Sequence, residues 1–258
     1  MLAPVAHYVY DQDWKDERER LAGMERLWDP GSTEVLARAG VGEGWRCLEV
    51  GAGGGSISEW LADRVGAQGK VVAADVSLRF LEAIERDNLE ARELDILGEE
   101  LPEGEFDLVY SRLVAEHLGS DAVAAMARCV RPGGVLVLED YDWSVDLRDE
   151  FFDRVQGAAL GFMEQAGFDP YFGRRLIGEL EAAGLDDVSA EGRVRVVQGG
   201  TPDTAFFGLS LVSLRAALVD AGTIEDAEVD EALARLDDPN EVMLTPVMVA
   251  AVGRRPGD

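Results

Sequence analysis

Cysteine and histidine are scarce in this sequence of 258 residues, and their scarcity narrows the chemistry it can carry. There are two cysteines, Cys47 and Cys129, and two histidines, His7 and His117. Both cysteines fall in apolar segments, which favours core thiols in a reducing compartment over disulfides or nucleophiles. No Cys/His cluster has the spacing of metal ligands, so we expect no metal site.

Long apolar runs and a recognisable targeting segment are also lacking. No continuous apolar run approaches the roughly 18–20 residues that cross a bilayer. The first twenty residues contain neither the basic nor the apolar segment of a secretory signal. We therefore expect a cytoplasmic protein that does not bind membranes.

Basic residues are outnumbered by acidic ones, 24 against 51, and the formal net charge is −27 at pH 7. A field of that sign repels phosphate backbones and anionic lipids, so nucleic acid is not an expected partner. The length fits one structural domain. The expected partner is a small-molecule substrate, and the chain is expected to be a monomer or a homodimer.

Strand-like and helix-like segments alternate through the first half of the sequence. The continuous apolar runs Trp45–Val50, Lys70–Ala74, Phe106–Tyr110 and Val135–Glu139 predict strands buried on both faces. Helical periodicity predicts helices between and before them, at Trp28–Ala39, Ile57–Val65, Ser77–Arg86 and Ser120–Val130. This alternation predicts a doubly wound α/β fold with a parallel sheet.

The second half has a looser pattern, with helices predicted at Asp149–Gln165, Gly173–Ala183, Thr204–Asp220 and Ile224–Leu236. Strands are predicted at Asp187–Val197 and Glu241–Val252. Helices inserted before the last strand would lie over the carboxyl ends of the strands, where open α/β sheets bind ligands. We expect residues 1–40 to form a helical cover, 41–143 the cofactor-binding core, and 144–258 the remaining strands with a helical substrate cap.

A glycine loop follows the first strand and an acid follows the second. Gly51 permits a tight turn, and Gly53 allows close approach of the backbone to a ligand. Asp75 ends the second strand, where a carboxylate can accept hydrogen bonds from both ribose hydroxyls of a nucleotide. The dinucleotide pattern G-x-G-x-x-G would require glycine at position 56, which is Ser56 here.

The sequence Glu49-Val50-Gly51-Ala52-Gly53-Gly54-Gly55 instead resembles the first motif of the class I S-adenosylmethionine-dependent methyltransferases. Leu94-Asp95-Ile96, Phe106–Arg112 and Arg131–Leu136 are similar to later motifs of that family, in the same order. The resemblance covers residues 44 to 140 and is closest to the menaquinone/ubiquinone-biosynthesis type. It implies a Rossmann-like, mostly parallel seven-stranded sheet with helical lid insertions.

The resemblance also implies the cofactor, S-adenosyl-L-methionine, with S-adenosyl-L-homocysteine as its product. Asp75 matches the ribose-binding acid, Asp95 and Ile96 the adenine-binding loop, and Ser111 lies beside the methionine portion. The complete set expected at the cofactor is Glu49, Gly51, Ala52, Gly53, Asp75, Val76, Asp95, Ile96, Ser111, Arg112 and Tyr10.

Residues outside the motifs are candidates for catalysis and substrate binding. His117 has the pKa range of a general base, and Asp140 ends the fifth strand towards the expected substrate cavity. Tyr141 and Trp143 are suited to stacking on a flat substrate, and Tyr171 is a further wall residue. Each also has a structural interpretation, as a packing histidine, a solvated acid or an aromatic under the lid.

The sequence therefore predicts transfer of a methyl group to oxygen, nitrogen or carbon of a small metabolite, in secondary metabolism. Positioning is expected to be the main catalytic effect, because the donor is already activated. Two alternatives remain: a non-methylating protein that binds the same cofactor, such as a cyclase or binding module, and an NAD(P)-dependent oxidoreductase.

Overall fold

The frame of the protein is a seven-stranded sheet, seen in a computed structural model that describes residues 10–11, 13–98, 102–145 and 149–257. Its strands are β1 (Arg46–Val50), β2 (Lys70–Asp75), β3 (Leu89–Glu93), β4 (Phe106–Arg112), β5 (Val130–Asp142), β6 (Asp186–Arg193) and β9 (Val247–Arg254). A separate ribbon contains β7 (Val196–Gln198) and β8 (Val242–Leu244).

Eight α-helices lie within the described residues. They are α1 (Glu17–Ala39), α2 (Ser56–Val65), α3 (Ala115–Leu118), α4 (Ser120–Cys129), α5 (Glu150–Glu164), α6 (Leu176–Ala182), α7 (Ala205–Asp220) and α8 (Asp226–Leu236). Short 3₁₀ turns at Phe172–Arg175 and Pro202–Thr204 precede α6 and α7.

The strand order is β3-β2-β1-β4-β5-β9-β6, and the first five strands in chain order pair in parallel. β9 inserts antiparallel between β5 and β6. Strand order reverses between β1 and β4, so the carboxyl ends of these strands border the crevice where such sheets bind ligands. The predicted α/β class and mostly parallel seven-stranded sheet are confirmed.

Both faces of the sheet are buried, as the continuous apolar strands predicted. One face packs against α4 and α6 through residues such as Val109, Met126 and Leu180, while the other packs against α1 and α2. Cys47 and Cys129 are both buried free thiols, one in each of these cores. Burial raises the pKa of both thiols, which confirms their interpretation as core residues.

The helices of the second half form a cap with its own apolar core. Residues of α5, α7 and α8, among them Val155, Leu214 and Val229, bury one another in this cluster. Because the cap excludes water through its own packing, it can hold a cavity wall above the sheet.

The predicted helix Ser77–Arg86 is wrong, since this segment forms tight turns. The Ser77 N–H is held by the Asp75 carboxylate at 3.1 Å, and the Ile84 N–H bonds the Leu81 carbonyl at 3.1 Å. The apolar side chains still pack inward, with Leu81 fully buried. The spacing of the apolar residues therefore indicated which side chains are buried. It did not determine the backbone conformation, which includes the hydrogen bond from the Ser77 N–H to Asp75.

Two predicted strands are each divided in the structure. Asp187–Val197 becomes β6 and β7, and Glu241–Val252 becomes β8 and β9. The two breaks face each other, because the Thr245 N–H bonds the Arg195 carbonyl at 3.0 Å and Pro246 has no N–H to continue the ladder. Both segments of the chain therefore leave the main sheet at the same place, and β7 and β8 pair with each other to form the two-stranded ribbon.

Helix α1 is longer than predicted, since it begins at Glu17 rather than Trp28 and continues through Pro30. A proline inside a helical pattern predicts a break, because it removes one backbone hydrogen bond. The helix is retained here by packing of Leu27, Trp28 and Leu36, all of which are buried. Residues 1–9 of the predicted cover lie outside the described residues.

One helical stretch in the described part of the chain, Pro202–Asp220, is long and apolar enough to cross a membrane by length and composition, with a mean hydropathy of 1.2. The search for continuous apolar runs does not detect this stretch, because polar residues interrupt it. The core helix of a soluble protein also passes this test when it is mostly buried, whereas 33% of this window is buried. Phe206, Leu214 and Leu218 are buried, and the stretch contains the cap helix α7.

Candidate functional site

The loop between β1 and α2 borders the crevice and is shaped by glycine. The N–H groups of Gly51 and Ala52 bond the Ala74 carbonyl at 2.8 and 3.1 Å, which fixes the loop to β2. Gly51 has a φ of 75°, and a Cβ there would lie 2.3 Å from Val114 Cγ2. No other residue fits this position without displacing Val114, so the loop presents bare backbone to the crevice.

Asp75 is oriented by the backbone around it. Its Oδ2 accepts a hydrogen bond from the Gly53 N–H at 2.8 Å, and its Oδ1 accepts one from the Ser77 N–H at 3.1 Å. Burial raises the pKa of this carboxyl, whereas these backbone bonds lower it. Gly51, Gly53, Asp75 and Val76 all line one cavity. The loop and the acid are thus held in register before any ligand binds.

Glu49 and Ala52 lie behind this loop and do not line the cavity. The buried Glu49 carboxyl accepts a hydrogen bond from the Ser58 hydroxyl of α2, and burial raises its pKa to about 8. Ala52 is buried with Leu81 in a small apolar cluster. Their position supports the loop rather than contacting a ligand.

The predicted adenine segment follows β3. Asp95 and Ile96 both line the cavity, together with the half-exposed side chain of Val76. Ile96 is buried, while the Asp95 Oδ1 accepts a hydrogen bond from the Leu97 N–H at 3.0 Å. An apolar wall beside an exposed carboxylate is suited to a flat heterocycle with a hydrogen-bonding edge.

Ser111 and Arg112 end β4 with different roles. The Ser111 hydroxyl donates to the Val50 carbonyl at 2.8 Å and lies outside the cavity wall. Arg112 lines the cavity, and its guanidinium donates to Ser32 Oγ and to Asp29 Oδ1, both at 2.9 Å. These bonds attach α1 to the sheet directly at the crevice.

The cavity has a volume of about 480 Å³ and continues from the glycine loop to the cap helices. It falls in the size range of small-molecule sites. Its cofactor side contains the loop, Asp75 and Asp95, and its far side contains apolar side chains of α5, α7 and α8. Two ligands of different character can therefore meet inside one cavity.

His117 lines the cavity between these two sides. Its ring centroid lies 5.0 Å from that of Phe168, and its imidazole is largely buried. Burial, with a further contribution from the Arg20 cation, lowers the pKa of His117 to about 4. The imidazole is therefore neutral near pH 7.

Asp140 lies outside the cavity wall, so its predicted catalytic role receives no support from its position. Its side chain is buried, and its Oδ1 accepts a hydrogen bond from the Glu116 N–H at 3.2 Å. Burial raises the pKa of Asp140 to about 8. These contacts hold the start of α3 against β5.

Two of the three aromatic candidates for substrate binding line the cavity, and the third does not. Tyr141 and Trp143 line the cavity with their ring centroids 5.3 Å apart, and the Tyr141 hydroxyl accepts a hydrogen bond from Trp28 Nε1 at 2.6 Å. Tyr171 does not: it is 44% exposed and lies under the Arg174 guanidinium. Its prediction as a substrate wall residue is corrected, since its side chain faces outward.

The first turns of α1 supply residues that the sequence analysis missed. Glu17 and Arg20 line the cavity, and the Arg20 guanidinium bonds the Glu17 carboxylate through two contacts of 2.6 and 2.7 Å. Arg20 also lies over the ring of Tyr10, 4.4 Å from its centroid, and Tyr10 is itself a wall residue. The i,i+3 spacing of this pair was the available signal.

Glu116 is another wall residue that was missed. It is buried, and its Oε2 accepts a hydrogen bond from the Tyr141 N–H at 3.1 Å. Burial, with the nearby Asp140 carboxyl, raises the pKa of Glu116 well above its usual range. Among the described residues, no group of three or more His, Cys, Asp or Glu side chains is arranged to hold a metal ion.

A glycine loop, an oriented acid after β2 and a polar-apolar segment after β3 together define a Rossmann-like α/β enzyme for an adenosine-containing cofactor. Comparison with known proteins gives the same class. Residues 48–138 match the model of the methyltransferase domain family. The match spans about a third of the chain and identifies this part of it as a methyltransferase domain.

Among curated relatives, the methyltransferase str3 of Strobilurus tenacellus is 27% identical over 89% of this chain and 85% of its own length. The ubiquinone/menaquinone biosynthesis C-methyltransferase UbiE of Francisella philomiragia is 27% identical, with 55% of this chain matching 60% of that protein. The second match therefore spans less than two thirds of its relative.

A solved structure has a similar fold at lower sequence identity. It is phosphoethanolamine N-methyltransferase 2 of Haemonchus contortus, bound to phosphomonomethylethanolamine and S-adenosylhomocysteine. The likeness has a TM-score of 0.54 at 14% identity and covers 93% of this chain and 52% of that one. Its fold supports the arrangement of sheet and helices described above.

Proposed function

We propose that this enzyme transfers a methyl group from S-adenosylmethionine to a small molecule held in the cap side of the cavity. The observation that carries the proposal is the continuity of one cavity from the glycine loop to α5, α7 and α8. Donor and acceptor can then be held next to each other in one cavity, which suits an in-line displacement.

The cofactor side fits the adenosine part of this donor. We assign the ribose hydroxyls to Asp75, whose carboxylate is oriented by the Gly53 N–H at 2.8 Å. Asp95 and Ile96 are the proposed adenine contacts, and the bare backbone at Gly51 provides space for the methionine part. The further wall contacts are assigned to Val76, Arg112 and Tyr10, whereas Glu49, Ala52 and Ser111 hold the loop and strand ends from behind.

The donor supplies an activated methyl group, and the chain supplies position and exclusion of water. We retain His117 as the candidate base because it lines the cavity and is neutral near pH 7. A pKa of about 4 also makes it a weak base, so it can assist an acidic acceptor and no other. Orientation of the acceptor is therefore the main proposed catalytic effect.

The layout of the chain follows from this division of tasks. We propose a helical cover at 1–40, a cofactor core at 41–143 and a substrate cap within 144–258. The net charge of −27 argues against nucleic acid and anionic membrane surfaces as partners. We further propose that the protein is cytoplasmic and acts on small metabolites of secondary metabolism, as a monomer or homodimer.

The test is calorimetric titration of the purified protein with S-adenosylmethionine, and separately with NADH. We expect binding of the first compound alone. Asp75→Ala should weaken binding by about 10- to 100-fold, because it removes charge-assisted hydrogen bonds worth roughly 1.5–3 kcal/mol. Asp87→Ala is the matched control, since Asp87 is exposed and lies outside the cavity.

Equal affinity of the Asp75→Ala and wild-type proteins would contradict the ribose assignment. Binding of NADH alone would contradict the cofactor. Methyl transfer itself is tested by incubation with candidate acceptors and measurement of the mass gained. Tight cofactor binding without any mass gain across a broad acceptor set would favour the non-methylating alternative.

A further inference from the structure

The side of the cavity lined by the cap, here named the cap lobe, has almost no polar side chains. Its wall is formed by residues of α5, α7, α8 and β8, including Phe152, Leu160, Met163, Phe207, Leu211 and Leu236. Within the described part of this wall, the polar side chains are those of Trp143, Gln156 and Ser210. A ligand that fills the lobe must therefore be mainly apolar.

The ionisable groups bordering the cap lobe do not offer it a net charge. The Arg20 cation is bonded to the Glu17 carboxylate at 2.6 Å, and both side chains are 4% exposed. His117 is neutral near pH 7. Burial raises the pKa of the Glu116 carboxyl well above its usual range, which disfavours its charged form. A phosphate or an ammonium group would lose its hydration in this lobe without gaining an opposite charge.

Two polar atoms in this wall lack the partner that buried polar atoms require. Trp143 Nε1 and Ser210 Oγ are both buried and have no hydrogen-bond partner among the described residues. Both side chains line the cavity. Native proteins rarely leave such atoms unpaired, because their hydration is lost without replacement. A bound molecule in the lobe, or an ordered water, can supply that partner.

The third such atom, Arg193 Nε, lies outside the cavity wall on a side chain that is already ion-paired with Glu139. The cap lobe therefore contains two of the three unpaired buried polar side-chain atoms found in the described residues. Trp143 Nε1 can only donate a hydrogen bond, while the Ser210 hydroxyl can donate or accept. The matching group on a ligand is an oxygen acceptor such as a carbonyl.

We propose that the methyl acceptor is an uncharged, mainly apolar molecule with a carbonyl oxygen that binds Trp143 Nε1 and the Ser210 hydroxyl in the cap lobe. This proposal rests on the function proposed above and specifies its substrate class. Trp143 and Ser210 then determine specificity, because an analogue without the oxygen leaves both groups unpaired.

The test uses two compounds of the same shape, 2-acetylnaphthalene and 2-isopropenylnaphthalene, which differ by a carbonyl oxygen in place of a methylidene group. Each is titrated calorimetrically into protein saturated with S-adenosylhomocysteine. We expect the ketone to bind about 10-fold more tightly. In a wall without hydrogen-bonding groups the alkene would bind more tightly, since the ketone loses hydration. The charged analogue 2-naphthoate should bind most weakly.

Variants connect the preference to the two side chains. Trp143→Phe and Ser210→Ala should each reduce the ketone preference, and the double variant should abolish it while retaining alkene binding. Ser213→Ala is the matched control, because Ser213 lies on the same helix but outside the cavity wall. Circular dichroism of each variant checks that it is folded, and the wild-type comparison of the two compounds stands independently of the variants.

Three results would overturn the proposal: alkene affinity equal to or above that of the ketone, an unchanged preference in the double variant, or no binding of either compound to the cofactor-loaded protein. Failure of S-adenosylhomocysteine to bind would instead count against the proposed function. In that case the same pair is titrated into the unliganded protein, where the ketone preference is still expected.

Discussion

At the scale of single residues, Glu49 shows how burial changes the charge of a motif acid. The sequence pattern places Glu49 at the cofactor, yet its carboxyl lies behind the loop and is bonded by the Ser58 hydroxyl. Burial raises its pKa to about 8, so it is mainly protonated in the folded protein at neutral pH. The unfolded chain releases this proton at lower pH, because the ordinary pKa of a glutamate is about 4.3.

This difference predicts a pH effect on stability. A raised pKa in the folded state means that the contribution of Glu49 is complete below about pH 4.3 and declines as the pH rises towards 8. Glu49→Gln removes this decline while keeping an oxygen acceptor for Ser58. Between about pH 5.5 and 7.5, the free energy of unfolding of the variant should therefore gain on the wild type by up to about 1.4 kcal/mol per pH unit.

Urea unfolding at several pH values measures this difference. Glu34→Gln, at an exposed position on α1, is the matched control. A constant difference between Glu49→Gln and the wild type across this pH range would show that Glu49 is ionised in the folded protein.

At the scale of elements, α1 and α7 pack closely against each other beside the cavity. Gly23 on α1 permits this approach, because a Cβ there would lie 2.8 Å from the backbone nitrogen of Phe206. Arg112 attaches the same helix to the sheet through Asp29. Helix α1 therefore joins the cap to the cofactor core.

Alanine substitutions should have opposite effects at two helical glycines. Gly23→Ala should lower the free energy of unfolding by about 1–3 kcal/mol, because the added methyl group meets backbone that cannot move aside. Gly178→Ala on α6, where a Cβ meets nothing within 4 Å, should raise it by about 0.5–1 kcal/mol through helix propensity. Urea denaturation measures both, and a stabilising Gly23→Ala would contradict the close contact.

At the scale of the whole molecule, the dominant feature is a net charge of −27. Exposed ion pairs, such as that between Arg215 and Asp226, contribute little to stability and are weakened by salt. Repulsion among the excess carboxylates acts over longer distances and opposes the folded state. Between these two effects, repulsion should dominate the response to salt.

Sodium chloride should therefore stabilise the protein. Raising the ionic strength from 0.01 to 0.15 M shortens the screening length from about 30 Å to about 8 Å, which reduces the repulsion. Thermal unfolding monitored by circular dichroism should show a higher midpoint at the higher salt concentration. A lower midpoint would mean that attractive pairs outweigh the repulsion.

Much of the architecture and of the cofactor side was predictable from local pattern. Apolar runs such as Lys70–Ala74 identified buried strands because a strand covered on both faces has no polar alternation. The glycine loop and Asp75 were recognisable because a close backbone approach and a ribose contact require particular residue types at a fixed spacing. The helix at Ser77–Arg86 was predicted wrongly, because the periodicity of its apolar residues indicates which side chains are buried but does not determine the backbone conformation.

The sequence by itself determined the α/β class, the methyltransferase domain at residues 48–138 and the side of the cavity that suits the cofactor, since each depends on residues close together along the chain. Only the tertiary structure decided which side chains reach the cavity. It turned Tyr171 outward, enclosed Asp140 behind α3, and brought Trp143 from the end of β5 to the same wall as Ser210 on α7. Such contacts join residues far apart in sequence, and they arise from packing of the cap on the sheet, which no local pattern specifies.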